Sequence, residues 1–196
     1  MGGQPGAGRF AGPKWRTLTE LGMQVGLRPG EIYGLHGHRV DWLRSQIQVI
    51  DVITRQGLRQ WPKSKKSHRT VPVPPGILKC MSVLMTGRPR DALVFTAPEG
   101  GPVSDGHFRN RVWSPAITAA GIRRFPPRIM RHTAASWLVQ DGVPLYDVQA
   151  LLGHEDYATT QRYASLAPDA HGKIIESWKR RSGARLAHNA KEARPS

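Results

Sequence analysis

Five residues of this chain are of the types that metal-free chemistry at a phosphodiester requires: Arg28, Lys63, Arg131, His154 and Tyr163. Such a reaction needs fixed cations on the non-bridging oxygens as charge develops. Arginine serves this best, because its fork is planar and always protonated. A nucleophile is needed, and a tyrosine hydroxyl can form a covalent phosphoester. A proton must reach the leaving oxygen, a task open to lysine or histidine. Taken singly, each residue also has an ordinary use. Glu31, three positions after Arg28, is a natural ion-pair partner for it. A histidine just past a helix end suits the helix dipole. Tyr163, between Arg162 and Ala164, would serve as half-buried packing, and Lys63 is one lysine of a basic run.

The elements that must hold these residues follow from apolar spacing and from glycine and proline. Trp15, Leu18, Leu21 and Val25 recur with helical period, and Gly26 stops that helix. Pro29 suits the first turn of a short helix through Leu35. IQVIDVI alternates and is β-branched, Gln56-Gly57 can turn, and RTVPVP at 69–74 is extended. A small antiparallel sheet of two or three strands is expected, with the PKSKKSH run in a loop between strands. Further helices are expected over 77–85 and 104–120. Another begins at Pro127, with a stripe of Met130, Ala134, Trp137 and Leu138, and stops at Gly142. Pro144 opens the next, burying Leu145, Val148, Leu151 and Leu152 before Gly153; Asp156 caps one through Ala164. The last runs over 169–181. The expected fold class is α+β, mainly α-helical with a small antiparallel β-sheet. Residues 1–13 are expected to be a flexible N-terminal segment, 14–181 one catalytic domain, and 182–196 a basic mobile tail.

Composition narrows the partner. The 196 residues carry 29 Lys and Arg against 14 Asp and Glu, a net charge of +15. From Val52 to Arg90 there is no acid but nine bases, and from Gly106 to Gln140 no acid but six arginines. Two such blocks inside a folded domain fit a surface that follows a phosphate backbone. The acids are scattered, which disfavours a clamp of clustered carboxylates on two metals. One cysteine, Cys80, excludes an internal disulfide framework and a Cys-rich zinc site. No metal and no cofactor is expected. No apolar run approaches the roughly 18 residues of a spanning helix, so no membrane role is expected.

The joint pattern resembles the tyrosine recombinases, the family of phage integrases and the Xer and Cre groups. VGLRPGEIYGL at 25–35 is similar to the family's first-arginine box, with Arg28 catalytic and Glu31 supporting it. PKSKKSHRTVPVP at 62–74 resembles the hairpin of the catalytic lysine, placed at Lys63. RIMRHTAASWLVQDGVPLYDVQALLGH at 128–154 resembles the box running from the second arginine, Arg131, to His154. TTQRYASL at 159–166 resembles the motif of the nucleophilic tyrosine, Tyr163. The resemblance implies attack by Tyr163 on a scissile phosphate, giving a 3′-phosphotyrosyl link and a free 5′-hydroxyl, without ATP or metal. Arg28, Arg131 and His154 would hold the transition-state oxygens, and Lys63 would protonate the leaving oxygen. Lys65 and Lys66 are alternatives to Lys63 or, with Arg69, contacts to the DNA backbone.

Two departures bear on activity. The family usually has histidine three residues before the second arginine, where this chain has Arg128. Arginine cannot act as a base for the tyrosine. It would add positive charge while His132 or water takes the proton, with activity reduced but not abolished. His132, however, lies about 100° round the helix from Arg131 and could face elsewhere. Family members also carry an N-terminal helical domain that clamps the other face of the DNA. The thirteen residues before Lys14 are too few for it, so weak, salt-dependent binding with poor site discrimination is expected. Double-stranded DNA is the implied partner, and a tetramer on DNA is implied through the helix at 169–181, unless that helix packs on its own domain. The implied location is cytoplasmic and nucleoid-associated. A type IB topoisomerase and a decayed, non-catalytic DNA-binding remnant are the alternatives.

Overall fold

The computed structural model describes residues 12–54, 56–59, 68–168, 172 and 174–180. Helix α1 (Pro13–Glu20) begins on a proline, whose missing N–H is no loss in a first turn. It continues into a π-helical turn, Leu21–Val25, that Gly26 ends at φ 76°. Only glycine suits this point: the backbone is left-handed, and a Cβ would fall 2.3 Å from Leu152 Cδ2. After Arg28 comes α2 (Pro29–Tyr33), with Glu31, Ile32 and Tyr33 buried.

The expected small sheet is present. Strands β1 (Val40–Asp41), β2 (Gln46–Val49) and β5 (Arg69–Pro72) form an antiparallel sheet in the order β1-β2-β5. A separate hairpin pairs β3 (Val52–Thr54) with β4 (Gly57–Arg59) and packs on α2. The register sets Ile47 opposite Val71 and Val49 opposite Arg69. Ile47, Val49, Val71 and Val73 are buried while Gln48 and Thr70 are exposed, so the period of two puts Arg69 on the core side of β5. The run at 60–67, with Lys63, Lys65 and Lys66, lies outside the described residues, as do 1–11 and 181–196.

Helix α3 (Pro75–Met85) starts two residues earlier than expected, again on a proline. The single helix expected over 104–120 is three pieces instead: α4 (Asp105–His107), a π-helical turn Phe108–Trp113, and α5 (Ser114–Ala119). Pro115, with no N–H to return to the turn before it, stands at the second junction. The wider turn buries Phe108, Val112 and Trp113 together.

Helix α6 (Ile129–Gln140) buries Met130, Arg131, Ala134, Ala135 and Val139. The stripe expected through Trp137 and Leu138 is displaced, because Arg131 takes a place on the inner face; Trp137 is 47% exposed and Leu138 half-buried. Helix α7 (Leu145–Leu152) buries Val148 and Leu152, leaves Leu145 and Leu151 half-buried, and ends at Gly153 with φ 64°. Asp156 caps α8 (Tyr157–Gln161) by accepting from the Ala158 N–H at 2.9 Å. That helix stops before Tyr163, and a 3-10 turn, Ala164–Leu166, follows it.

The core has two parts. The larger joins α1, α2, the sheet, α3 and the 108–117 region, and reaches Met130. The smaller consists of Ala135, Val139, Val148, Leu152 and Tyr163. Helix α6 therefore spans both, with Arg131 between them. Residues 174–180 are helical and expose Ile174, Ile175 and Trp178. Among the described residues no helix is long and apolar enough to cross a membrane. The architecture is α+β and mainly helical.

Candidate active site

Arg28 caps α2. Its backbone N–H donates to Glu31 Oε2 at 2.8 Å and its Nη1 to Oε1 at 2.9 Å, so the carboxylate three residues on fixes both main chain and side chain. Arg28 Nη2 points to the Gly153 carbonyl at 3.4 Å, and 46% of the side chain stays open to solvent. Glu31 itself is 5% exposed. Burial alone would push its pKa up, but the hydrogen bonds and charge of Arg69, then Arg28, outweigh that and hold it low.

Arg69, expected among the contacts to the DNA backbone, lies inside the fold. Its side chain is 8% exposed and forks onto Glu31, Nη1 to Oε1 at 3.1 Å and Nη2 to Oε2 at 2.9 Å. Its Nε donates to the Leu151 carbonyl at 2.8 Å. Strand register turns it inward, and three of its donors are engaged there. It ties β5 to α2 and α7.

Arg131 enters from α6 and is 9% exposed. Its Nη1 donates to the Gly26 carbonyl at 2.9 Å and its Nη2 to the Leu152 carbonyl. Burial, followed by the charge of Arg28, lowers its pKa to about 9, which leaves it cationic at neutral pH. Three successive carbonyls at the end of α7, those of Leu151, Leu152 and Gly153, thus accept from Arg69, Arg131 and Arg28. A helix C-terminus has carbonyls without intrahelical partners and carries partial negative charge, so it gathers the three cations.

His154 follows Gly153, and its Nδ1 pairs with Thr160 Oγ1 at 2.8 Å. Burial, then Arg131, Arg28 and other cations, lowers its pKa to about 4, so the ring is neutral near pH 7. The unfolded chain binds that proton at about 6.5. Its share of stability is therefore present above about 6.5 and lost as pH falls towards about 4. Urea midpoints across this range are expected to fall, and His154→Gln is expected to flatten that part of the profile. Parallel profiles for the two proteins would contradict the assignment.

Tyr163 is 6% exposed and hydrogen-bonded through its hydroxyl to His132 Nδ1. Burial raises its pKa, while Arg162 and Arg131 act in the other direction. Arg128, at the N-cap of α6, is exposed and makes no hydrogen bond or ion pair with the other described residues. The structure thus brings Arg28, Glu31, Arg131, His154 and Tyr163 to one junction and leaves Arg128 at its margin. Lys63, Lys65 and Lys66 lie outside the described residues. Sequence reasoning missed the inward turn of Arg69, although its alternation with Val71 and Val73 was a signal for it. Helical phase left the direction of His132 open. Among the described residues no group of three or more His, Cys, Asp or Glu side chains could hold a metal ion.

Comparison with known proteins gives the family and the fold. Residues 12–169 match the sequence profile of the phage integrase family. The chain is 28% identical over 175 residues to an integrase of Salmonella phage P22, covering 83% of this chain and 42% of that protein. It is 31% identical over 164 residues to the tyrosine recombinase XerC of Xylella fastidiosa (strain 9a5c), covering 83% of this chain and 52% of that protein. It therefore spans about half the length of these relatives. Its fold is similar to that of the Tn1549 transposon integrase, solved in complex with circular intermediate DNA. The TM-score is 0.70 at 18% identity, over 84% of this chain and 58% of that one.

Proposed function

Because the chain belongs to the phage integrase family, we propose that it cuts and rejoins DNA at specific sites through a 3′-phosphotyrosyl link on Tyr163. The observation that carries this reading is the junction at the end of α7. Two guanidiniums, Arg28 and Arg131, meet His154 there, and Arg131 lies near enough to Tyr163 to favour its phenolate. Arg28 and Arg131 hold the non-bridging oxygens of the scissile phosphate. With Thr160 on Nδ1, the neutral ring of His154 offers its other nitrogen as a donor to the same oxygens. Tyr163 Oη attacks phosphorus as the bond to the 5′-oxygen breaks, and Lys63 supplies the proton that oxygen takes up. A 5′-hydroxyl from a partner strand then reverses the attack and frees the tyrosine. One phosphoester is exchanged for another in each step, so neither ATP nor a metal enters.

Nicked suicide duplexes test this, because the fragment beyond the nick leaves with the 5′-hydroxyl and traps the adduct. A pool randomised around the nick removes the need for a known site. The full chain is expected to give a covalent band on a denaturing gel, with the peptide around Tyr163 joined to a 3′-phosphate. A folded chain that binds the pool and yields no adduct would leave a non-catalytic DNA-binding module.

Double-stranded DNA is the partner in this reading, which places the protein with the chromosome. In this reading assembly into a tetramer runs through the segment that holds the helical residues 174–180, supported by Ile174, Ile175 and Trp178, exposed by 41%, 46% and 63%. Ile175→Asp is expected to keep single-site cleavage and to lose the tetramer in sedimentation on DNA. An unchanged assembly would assign the helix to its own domain.

A further inference from the structure

We infer that His132 is the proton acceptor for Tyr163, filling the place that arginine at position 128 leaves without a base. The inference rests on the recombinase reading above and adds to it a residue in direct contact with the reacting hydroxyl. Arg131 and His132 are neighbours on α6 and point about 100° apart, as helix geometry requires. Arg131 turns towards Gly26 and the end of α7; His132 turns towards the segment after α8, where its Nδ1 meets Tyr163 Oη. The two rings lie 6.1 Å apart between centroids, tilted by 44°. Arg128 is exposed at the start of the helix and has no lone pair to offer.

The charges around His132 keep it ready for this role. Arg128 and Arg131 stand on its own element, Arg162 and Tyr163 on the segment after α8, and His154 on the loop after α7. Burial first, then the three arginines, lowers its pKa, so the ring is neutral and Nδ1 can accept from the tyrosine hydroxyl while Nε2 keeps its hydrogen. In the forward step the Oη–H bond breaks and its proton passes to Nδ1. The Oη electron pair forms the bond to phosphorus, and the bond from phosphorus to the 5′-oxygen breaks with its pair on that oxygen. In the reverse step the departing phenolate takes the proton back from the imidazolium. The buried hydroxyl, Tyr163 being 6% exposed, has this acceptor beside it before any DNA arrives.

The test uses the full chain with the randomised nicked pool, and with the same duplexes carrying sulfur in place of the bridging 5′-oxygen. Sulfur leaves without protonation, so it rescues a missing acid but not a missing base. His132→Gln retains a polar side chain without a base of useful strength. It is expected to form adduct about 10²- to 10⁴-fold more slowly than the parent near neutral pH. The deficit is expected to persist on the sulfur duplexes and to narrow as pH rises towards the tyrosine range. His132→Ala is expected to regain rate with added imidazole, and urea midpoints identify any variant that has not folded. A His132→Gln rate equal to the parent's overturns the proposal. So does a faster rate, which would make the contact a latch, or a deficit that sulfur removes, which would make His132 an acid. A folded parent chain without adduct overturns the recombinase reading itself, so the two failures are distinguishable.

Discussion

Tyr163→Phe is expected to fold as the parent does and to form no covalent adduct with any duplex. The substitution removes one oxygen and leaves the ring against Ala135, Val139, Val148 and Leu152. The loss in stability is that of one hydrogen bond, about 1 kcal/mol. The loss in chemistry is complete, because no other atom of that side chain can bond to phosphorus. Affinity for DNA is expected to stay within about two-fold, since a neutral phenol supplies none of the charge that sets phosphate affinity. Denaturing gels with the nicked pool, beside filter binding and urea titration, separate these effects. An adduct surviving in the variant would move the nucleophile to another residue.

The second large effect is thermodynamic. Glu31→Ala leaves the buried guanidinium of Arg69 without a counter-charge and frees Arg28 from its clamp. Removing one partner of a buried pair costs about 3–5 kcal/mol. Whole domains are stable by only about 5–15 kcal/mol, so the variant stands near the edge of folding. Urea midpoints read this directly, and a shift equivalent to under about 1 kcal/mol, the range of exposed pairs, would show that the cluster is solvated. Glu31→Gln is expected to fall between, because its oxygen can accept from one arginine while its amide hydrogens oppose the other. Acid repeats the effect in the parent. The pKa of Glu31 is held below its unfolded value, so its contribution is present above about 4.3 and lost as pH falls through the lower folded value.

What could be read without coordinates divides by distance along the chain. Arg28 and Glu31 are three residues apart, a helix start brings them together, and their pairing was foreseeable. The ends of α1, α6 and α7 were marked by glycines or by proline. Arg69 could not be placed by composition, because a basic residue beside PKSKKSH looks like surface. Its register against Val49 and the position of Glu31, 38 residues away, decide otherwise. His132 is the converse case. Helical phase showed that it turns away from Arg131, but not that the chain after α8 returns to meet it. The stripe on α6 was misjudged at Trp137 because a buried arginine was not expected to occupy part of an apolar face.

The carbonyls that end α7 have a consequence for how well the junction matches charge. They hold Arg28, Arg69 and Arg131 by partial charges, and a helix end amounts to only about half an elementary charge. Among the described residues, Glu31 pairs with both Arg28 and Arg69 and offsets one guanidinium charge. With His132 and His154 neutral, these three guanidiniums and one carboxylate leave an excess of positive charge. A phosphodiester at rest carries one negative charge, whereas the five-coordinate arrangement of the proposed attack by Tyr163 would carry two. In the proposed reaction an excess of positive charge at the junction would favour the passing state over the resting DNA, the condition under which binding energy becomes rate.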